Sequence, residues 1–287
     1  MKKALLVLLL LAVAALVPEQ ALAWGPGVHV ALGNNVLGHL HLLSAQCAQL
    51  LQAYRHSFLY GCLSADILIG KGKKLTPTHC HSWVAGFNLL HTVEEPGLKA
   101  YAYGYLSHLA ADVVAHNYYV PNELQLSNGR GRLNHVFIEM QADRKTEFCQ
   151  KQMRSILRFP PRFADDFLIS ILQKSKLTFS LKKQVFKGSV ALSRVNPWRK
   201  SLKMMEQRFR RHNTGEYLVY MRSLAFHLVI DCLNNLESSA AVTLDPMGFE
   251  NLGLVKKSGR RNCRILEQPS QTPGFFLPSM NLLSLDG

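Results

Sequence analysis

Apolar positions recur three and four residues apart from residue 28 onward, and no stretch alternates in the manner of a half-buried strand. Val28 to Leu51 carries this spacing and predicts a helix. Gly61 to Thr78 reads as a loop, with the basic run Lys71-Gly72-Lys73-Lys74 and a proline at 77. A helix is expected from near Ser82 to about Val93. Glu94-Glu95-Pro96 then has the form of a helix start, with acids at the positive end of the dipole and proline in the first turn.

From Pro96 to Tyr119 nearly every face is apolar, which predicts a buried central helix. Pro121 is expected to end it, and Asn128-Gly129-Arg130-Gly131 reads as a turn. Arg132 to Leu157 predicts the next helix, stopped by Pro160-Pro161. Further helical patterns cover about 162–174, 178–194 and 214–240. From Asp245 the pattern dissolves into Gly, Ser, Pro and basic residues. The expectation is therefore an all-α chain: one multi-helix domain over 24–244 around a buried central helix, followed by a loosely structured basic tail over 245–287.

Composition narrows the class. Of the 287 residues 48% are apolar and 18% charged, below the roughly 25% charged usual for a soluble domain. Such a chain can bury a core, which excludes wholesale disorder. The formal net charge is +14, which suits an anionic substrate or a membrane surface without choosing between lipid and nucleic acid. Arg208, Arg210, Arg211 and His212 form one basic run, read as a surface helix end. Lys256-Lys257-Ser258-Gly259-Arg260-Arg261 forms another, read as solvated tail.

The first 23 residues read as a secretory leader. Lys2 and Lys3 form a positive start, Ala4 to Val17 is an uninterrupted apolar run, and Ala21-Leu22-Ala23 is a signal-peptidase site. The apolar run is shorter than the roughly 20 residues that span a bilayer. Cleavage between Ala23 and Trp24 makes Trp24 the first residue, with a free α-amine. Export, to the periplasm or beyond the cell, takes the six cysteines (47, 62, 80, 149, 232 and 263) into a compartment that permits disulfides. Their spacing contains no C-x-x-C pair, and their pairing cannot be read from it.

Ten of the twelve histidines fall between residues 29 and 135. His108, Asp112 and His116 sit four apart on the central helix and share one face. His135 and Glu139 repeat the four-residue pair on the following helix. Such pairs hold two donor atoms close enough for one zinc ion. Ionisable groups in an apolar helix cost several kcal/mol unless they are paired or metal-bound. Asp66 is a lone carboxylate in the apolar stretch YGCLSADI. Thr78-His79-Cys80-His81-Ser82-Trp83 brings two histidines to a helix start, pointing differently, of which His81 is the favoured ligand. Tyr60, Trp83, Tyr118, Tyr119 and Phe137 lie near these positions in sequence, where they can line a choline pocket or stack on a base, although most are expected in the core. His39, His41, His56, His91, His212 and His227 lack matched partners and read as structural or exposed.

Trp24 at a cleaved terminus, then His29, Asp66, His81, the His108/Asp112 pair, His116 and the His135/Glu139 pair together resemble the zinc-dependent phospholipase C family. The resemblance runs from Trp24 to Glu139 and more loosely to about residue 240. It implies three zinc ions in a helical domain. Asp66, His81, His108 and Asp112 would hold one. Asp112 would bridge to a second, held also by the α-amine and carbonyl of Trp24 and by His29. His116, His135 and Glu139 would hold the third. The implied activity is hydrolysis of phospholipid head groups by a zinc-bound hydroxide, with Asp66 orienting the water or taking its proton.

Two features depart from that pattern. His116 follows Asp112 by only four residues, and the stretch from His116 to His135 is correspondingly long. The spacing in WGPGVH resembles the single-strand-specific zinc nucleases that share the fold, whereas Glu139 resembles the phospholipases. A secreted nuclease of the same trinuclear type and a non-catalytic lipid- or metal-binding protein are the alternatives. The expected partners are a phospholipid or other phosphodiester and a membrane surface, with nucleic acid as the alternative substrate. No obligate protein partner is evident.

Overall fold

The computed structural model describes residues 24–68, 78–126, 132–192, 215–257, 276–279 and 282. The leader, the 71–74 basic run, the 128–131 turn and the 208–212 basic run lie outside the described residues, as does most of the 256–261 cluster. Within them the chain is all-α: α1 (Pro26–Gly38), α2 (Ala45–Ala53), α3 (Arg55–Ile67), α4 (Trp83–His91), α5 (Pro96–Val114), α6 (Val120–Leu126), α7 (Arg132–Lys145), α8 (Gln150–Arg158), α9 (Ala164–Leu172), α10 (Lys176–Leu192), α11 (Gly215–Asn235) and α12 (Phe249–Lys257). No described helix is long and apolar enough to cross a membrane.

α5 is the axis of the core, packed by α3, α4 and α11. It starts as its sequence predicts. The Glu95 carboxylate accepts from the N–H groups of Gly97 (2.9 Å) and Leu98 (2.6 Å), and Pro96 occupies the first turn. Ala100 to Ala102 and Gly104 to Val114 are buried, as expected of a helix apolar all round.

The residues expected to form a loop from Gly61 onward instead continue α3 to Ile67. Tertiary packing overrides glycine's poor helix propensity here. A Cβ at Gly61 would lie 2.1 Å from Tyr101 O, and one at Gly104 would lie 1.9 Å from Phe58 O. The two glycines let the backbones of α3 and α5 touch, which sets the depth of the crossing.

Three other boundaries move. The 28–51 segment breaks at Gly38 into α1 and α2, and the hydroxyl of Ser44 caps α2 by accepting from Cys47 N. The 132–157 segment breaks at Thr146–Cys149 into α7 and α8. Pro121 does not end the central helix. A π-helical turn, Ala115–Tyr119, carries the chain from α5 into α6. Proline leaves the carbonyl four residues earlier without its helical donor. That carbonyl, on Asn117, accepts from Asn251 Nδ2 at 2.8 Å.

Asn251 belongs to α12, inside the region expected to be loose tail. Residues 245–257 pack on the π turn and on α6, while much of the remaining tail lies outside the described residues. Cys47, Cys62, Cys80, Cys149 and Cys232 are free thiols.

Candidate metal centre

Eight of the nine candidate ligands offer side-chain donors, and all eight are buried: His29, Asp66, His81, His108, Asp112, His116, His135 and Glu139. α1 supplies His29, the last turn of α3 supplies Asp66, and the residue before the Ser82 cap of α4 supplies His81. α5 supplies His108 and Asp112, the π turn supplies His116, and α7 supplies His135 and Glu139.

Asp112 is the hub. Its Oδ1 lies 3.2 Å from His29 Nε2, and its Oδ2 lies 3.2 Å from both His81 Nε2 and His108 Nε2. Asp66 Oδ1 faces the same two imidazoles at 3.5 and 3.7 Å. His29 stacks on His108 with ring centroids 3.9 Å apart. Donor atoms of His29, Asp66 and His108 lie within 4.8 Å of one another, as do those of His81, His108 and Asp112. His116, His135 and Glu139 form a separate group of the same closeness, with His135 Nε2 2.8 Å from Glu139 Oε1.

Outer carbonyls fix which nitrogen faces inward in two of the rings. His108 Nδ1 donates to Cys62 O at 2.9 Å and His116 Nδ1 donates to Pro246 O at 2.6 Å. In the neutral ring the inward Nε2 then carries the lone pair, the form a metal ligand requires. His81 Nδ1 lies 3.3 Å from Cys80 Sγ. His79 stays at the rim, its Nδ1 accepting from His81 N at 3.1 Å.

The donor set fits cations. His29 Nε2, Asp66 Oδ2, both Asp112 oxygens, His116 Nε2 and both Glu139 oxygens are buried and make no hydrogen bond. The Nε2 atoms of His81 and His108 face each other at 3.1 Å, so two imidazole nitrogens converge on the same point as the Asp112 carboxylate. Burial opposes a charged Asp112, but His108, with His29 and His81, outweighs it and holds the carboxyl well below the usual range. Burial, then Asp66, Asp112 and Asp143, pushes Glu139 well above it. Mixed imidazole and carboxylate donors, all of them buried, suit zinc.

Trp24 is buried and precedes α1. Its indole Nε1 donates to Ala111 O at 2.9 Å, and its ring stacks on Tyr119 at 4.8 Å. Asp143 holds this segment, although the sequence reading did not single it out. Its carboxylate accepts from Gly27 N (3.0 Å) and Val28 N (2.9 Å), and it lies against Gly25. The available signal was its position four residues after Glu139, on the same face of α7. Burial raises its pKa to about 7.

The turn 245–248 was also missed. Besides the Pro246 carbonyl, Asp245 O accepts from Asn117 Nδ2 at 2.8 Å. Gly248, at φ +56°, lies where a Cβ would come 2.3 Å from His116 O. No local pattern announces such a contact. The candidate pocket aromatics Tyr60, Tyr118, Tyr119 and Phe137 are buried in the core, and Trp83 Nε1 donates to Leu244 O at 2.8 Å. Of the unmatched histidines, His39 bonds Asn35 O, His56 bonds Phe159 O and His91 pairs with Glu237, all at the surface.

A family model described as zinc dependent phospholipase C matches residues 28–186, more than half of the chain. Comparison with curated proteins and with solved structures returned no match.

Proposed function

The chain belongs to the zinc-dependent phospholipase C family, and from that premise we propose that it hydrolyses the head-group phosphodiester of phospholipids at the Asp112 centre. The observation that carries the reading is the set of buried, unbonded donor atoms converging on Asp112 and, separately, on Glu139. Three zinc ions would be held by the residues the resemblance implies: Asp66, His81, His108 and Asp112; Asp112, His29 and the amine and carbonyl of Trp24; and His116, His135 and Glu139. Bound zinc supplies a water of lowered pKa and positive charge against the phosphate oxygens.

The chain's own residues do the rest. Asp112 presents both oxygens to different imidazoles and so joins two donor groups. Asp66 keeps Oδ2 without a hydrogen bond, so that oxygen can orient the attacking water and accept its proton. The Cys62 and Pro246 carbonyls hold His108 and His116 in the ligating tautomer. Neither a serine nor a cysteine nucleophile is needed.

The reading includes export and removal of residues 1–23, which frees the Trp24 amine. The deciding experiment measures zinc per chain, phosphocholine release from phosphatidylcholine micelles and digestion of single-stranded nucleic acid with one preparation. Phosphocholine release with nucleic acid left intact supports the phospholipase; the reverse result assigns a nuclease. A zinc-loaded chain inactive on both is a binding protein.

A further inference from the structure

α10 has two apolar faces. Phe179, Phe186 and Val190 are buried in the core, whereas Leu177, Leu181 and Val185, each four residues from the next, are exposed at 72%, 61% and 49%. A leucine stripe in water on a helix whose other face is already packed adds nothing to the core. The same helix carries Lys176, Lys182 and Lys187 outside the core, with Lys183 buried, and no acid.

The turn between α8 and α9 repeats the combination. In Arg158-Phe159-Pro160-Pro161-Arg162-Phe163 both phenylalanines are exposed. The guanidinium of each preceding arginine lies over the ring, at 5.3 Å for Phe159 and 4.6 Å for Phe163. Phe163 sits at φ +65°, a left-handed conformation that a bulky residue adopts only at a backbone cost. Lys176–Asp166 (2.7 Å) and Lys183–Asp165 ion pairs tie the start of α9 to α10, so turn and stripe belong to one packed unit. That unit abuts the helix that carries Asp66. α10 packs on α3, the Asp66 helix, and Lys182 Nζ donates to Leu68 O at 3.1 Å.

We propose that α10 and the Arg158–Phe163 turn form a docking surface for an anionic phospholipid bilayer. Leu177, Leu181, Val185, Phe159 and Phe163 enter the interfacial layer, and the neighbouring cations meet lipid phosphates. The proposal rests on the lipid-hydrolysing reading and adds where the substrate surface lies, against the helix that carries Asp66. Charge complementarity selects this occupant. Residues 158–192 hold seven Lys and Arg against two Asp, so a second copy of the chain would bring like charges together. Nucleic acid would match the cations but leave the aliphatic stripe in water.

The test uses the zinc-loaded chain from Trp24 to its end. Binding is read by co-sedimentation with vesicles of equal phosphatidylcholine and phosphatidylglycerol, and with pure phosphatidylcholine vesicles. Turnover of a short-chain phosphatidylcholine below its micellar concentration is measured in parallel, and circular dichroism checks the fold. Leu181→Ser and Phe163→Ser should each weaken binding to the anionic vesicles about tenfold while monomer turnover is kept. Lys187→Glu should weaken only the anionic case, by at least about fivefold. Undiminished vesicle binding by a folded Leu181→Ser/Phe163→Ser double variant overturns the proposal. So does a double variant that changes only self-association, or only binding to single-stranded DNA. Vesicle binding that the variants lose, from a chain that never turns over monomeric lipid, keeps the docking surface and removes the hydrolase reading.

Discussion

Replacing Gly104 by alanine puts a methyl carbon 1.9 Å from Phe58 O and 3.0 Å from Cys62 N. Both neighbours are backbone, so no side-chain rotation relieves the clash. Restoring ordinary contact at 3.4 Å requires α3 and α5 to part by about 1.5 Å. Alanine recovers roughly 1 kcal/mol of helix propensity, against an overpacking cost at or beyond the usual 1–3 kcal/mol because backbone must move. A net loss of about 2 kcal/mol lowers Tm by about 4–8 °C in a domain of this size. The same movement stretches the 2.9 Å bond from His108 Nδ1 to Cys62 O past its limit. With His108 no longer oriented, metal affinity should fall about 10- to 100-fold. Calorimetry on metal-free protein and zinc titration against a competing chelator read the two effects separately. A Tm within about 1 °C of wild type, with zinc affinity unchanged, refutes the close-contact argument.

Gly248→Ala meets both a positive φ and the His116 carbonyl. It should weaken the metal held by His116, His135 and Glu139 by about 10- to 100-fold while the Asp112 groups keep theirs, as read by metal content after graded chelation. Asp112→Asn should empty both donor groups that Asp112 joins; retention of full zinc by that variant would falsify the bridging role. One extra residue before a processed Trp24 should displace the α-amine and lower both zinc content and activity, so unchanged values in both rule out the terminal ligand. Glu123 is buried, and burial, only partly offset by Lys145, raises its pKa from 4.5 to about 7. Its folded form holds the proton more tightly than the unfolded chain, so its contribution is full below pH 4.5 and lost as pH rises through about 7. The size is at most about 3 kcal/mol. Denaturant melts of metal-free wild type and Glu123→Gln should show a larger loss in the wild type, because Asp143, also raised to about 7, contributes to both.

What could be read from the sequence was local. His108 with Asp112, and His135 with Glu139, are four-residue pairs on single helices, and helical geometry alone places each pair on one face. Asp66 and Glu95 stand out for equally local reasons, one as a carboxylate in an apolar run and the other as a cap before proline. The misreadings share a different cause. Gly61 signals a loop in isolation and becomes a helix-crossing contact only because Gly104 faces it. Pro121 signals a stop, yet the carbonyl it strands finds a donor on Asn251, far along the chain. The 245–248 turn carries ordinary loop composition, and its importance lies in the His116 ring it meets. Pair geometry within a helix is written in the spacing, whereas contacts between distant segments depend on the assembled fold.

The partners of His116 also lie late in the chain. Asp66, His81, His108 and Asp112 are all present once the chain has grown past residue 112, and the ligands on α7 follow by residue 139. The carbonyl that orients His116 arrives only with Pro246, and the amide that closes the π turn only with Asn251. A chain truncated before Asp245 therefore has every side-chain ligand and still lacks the means to hold one of them in place. The geometry of the His116 group is thus tied to a carbonyl 130 residues further along the chain, whereas the rings around Asp112 meet it within residues 29–112.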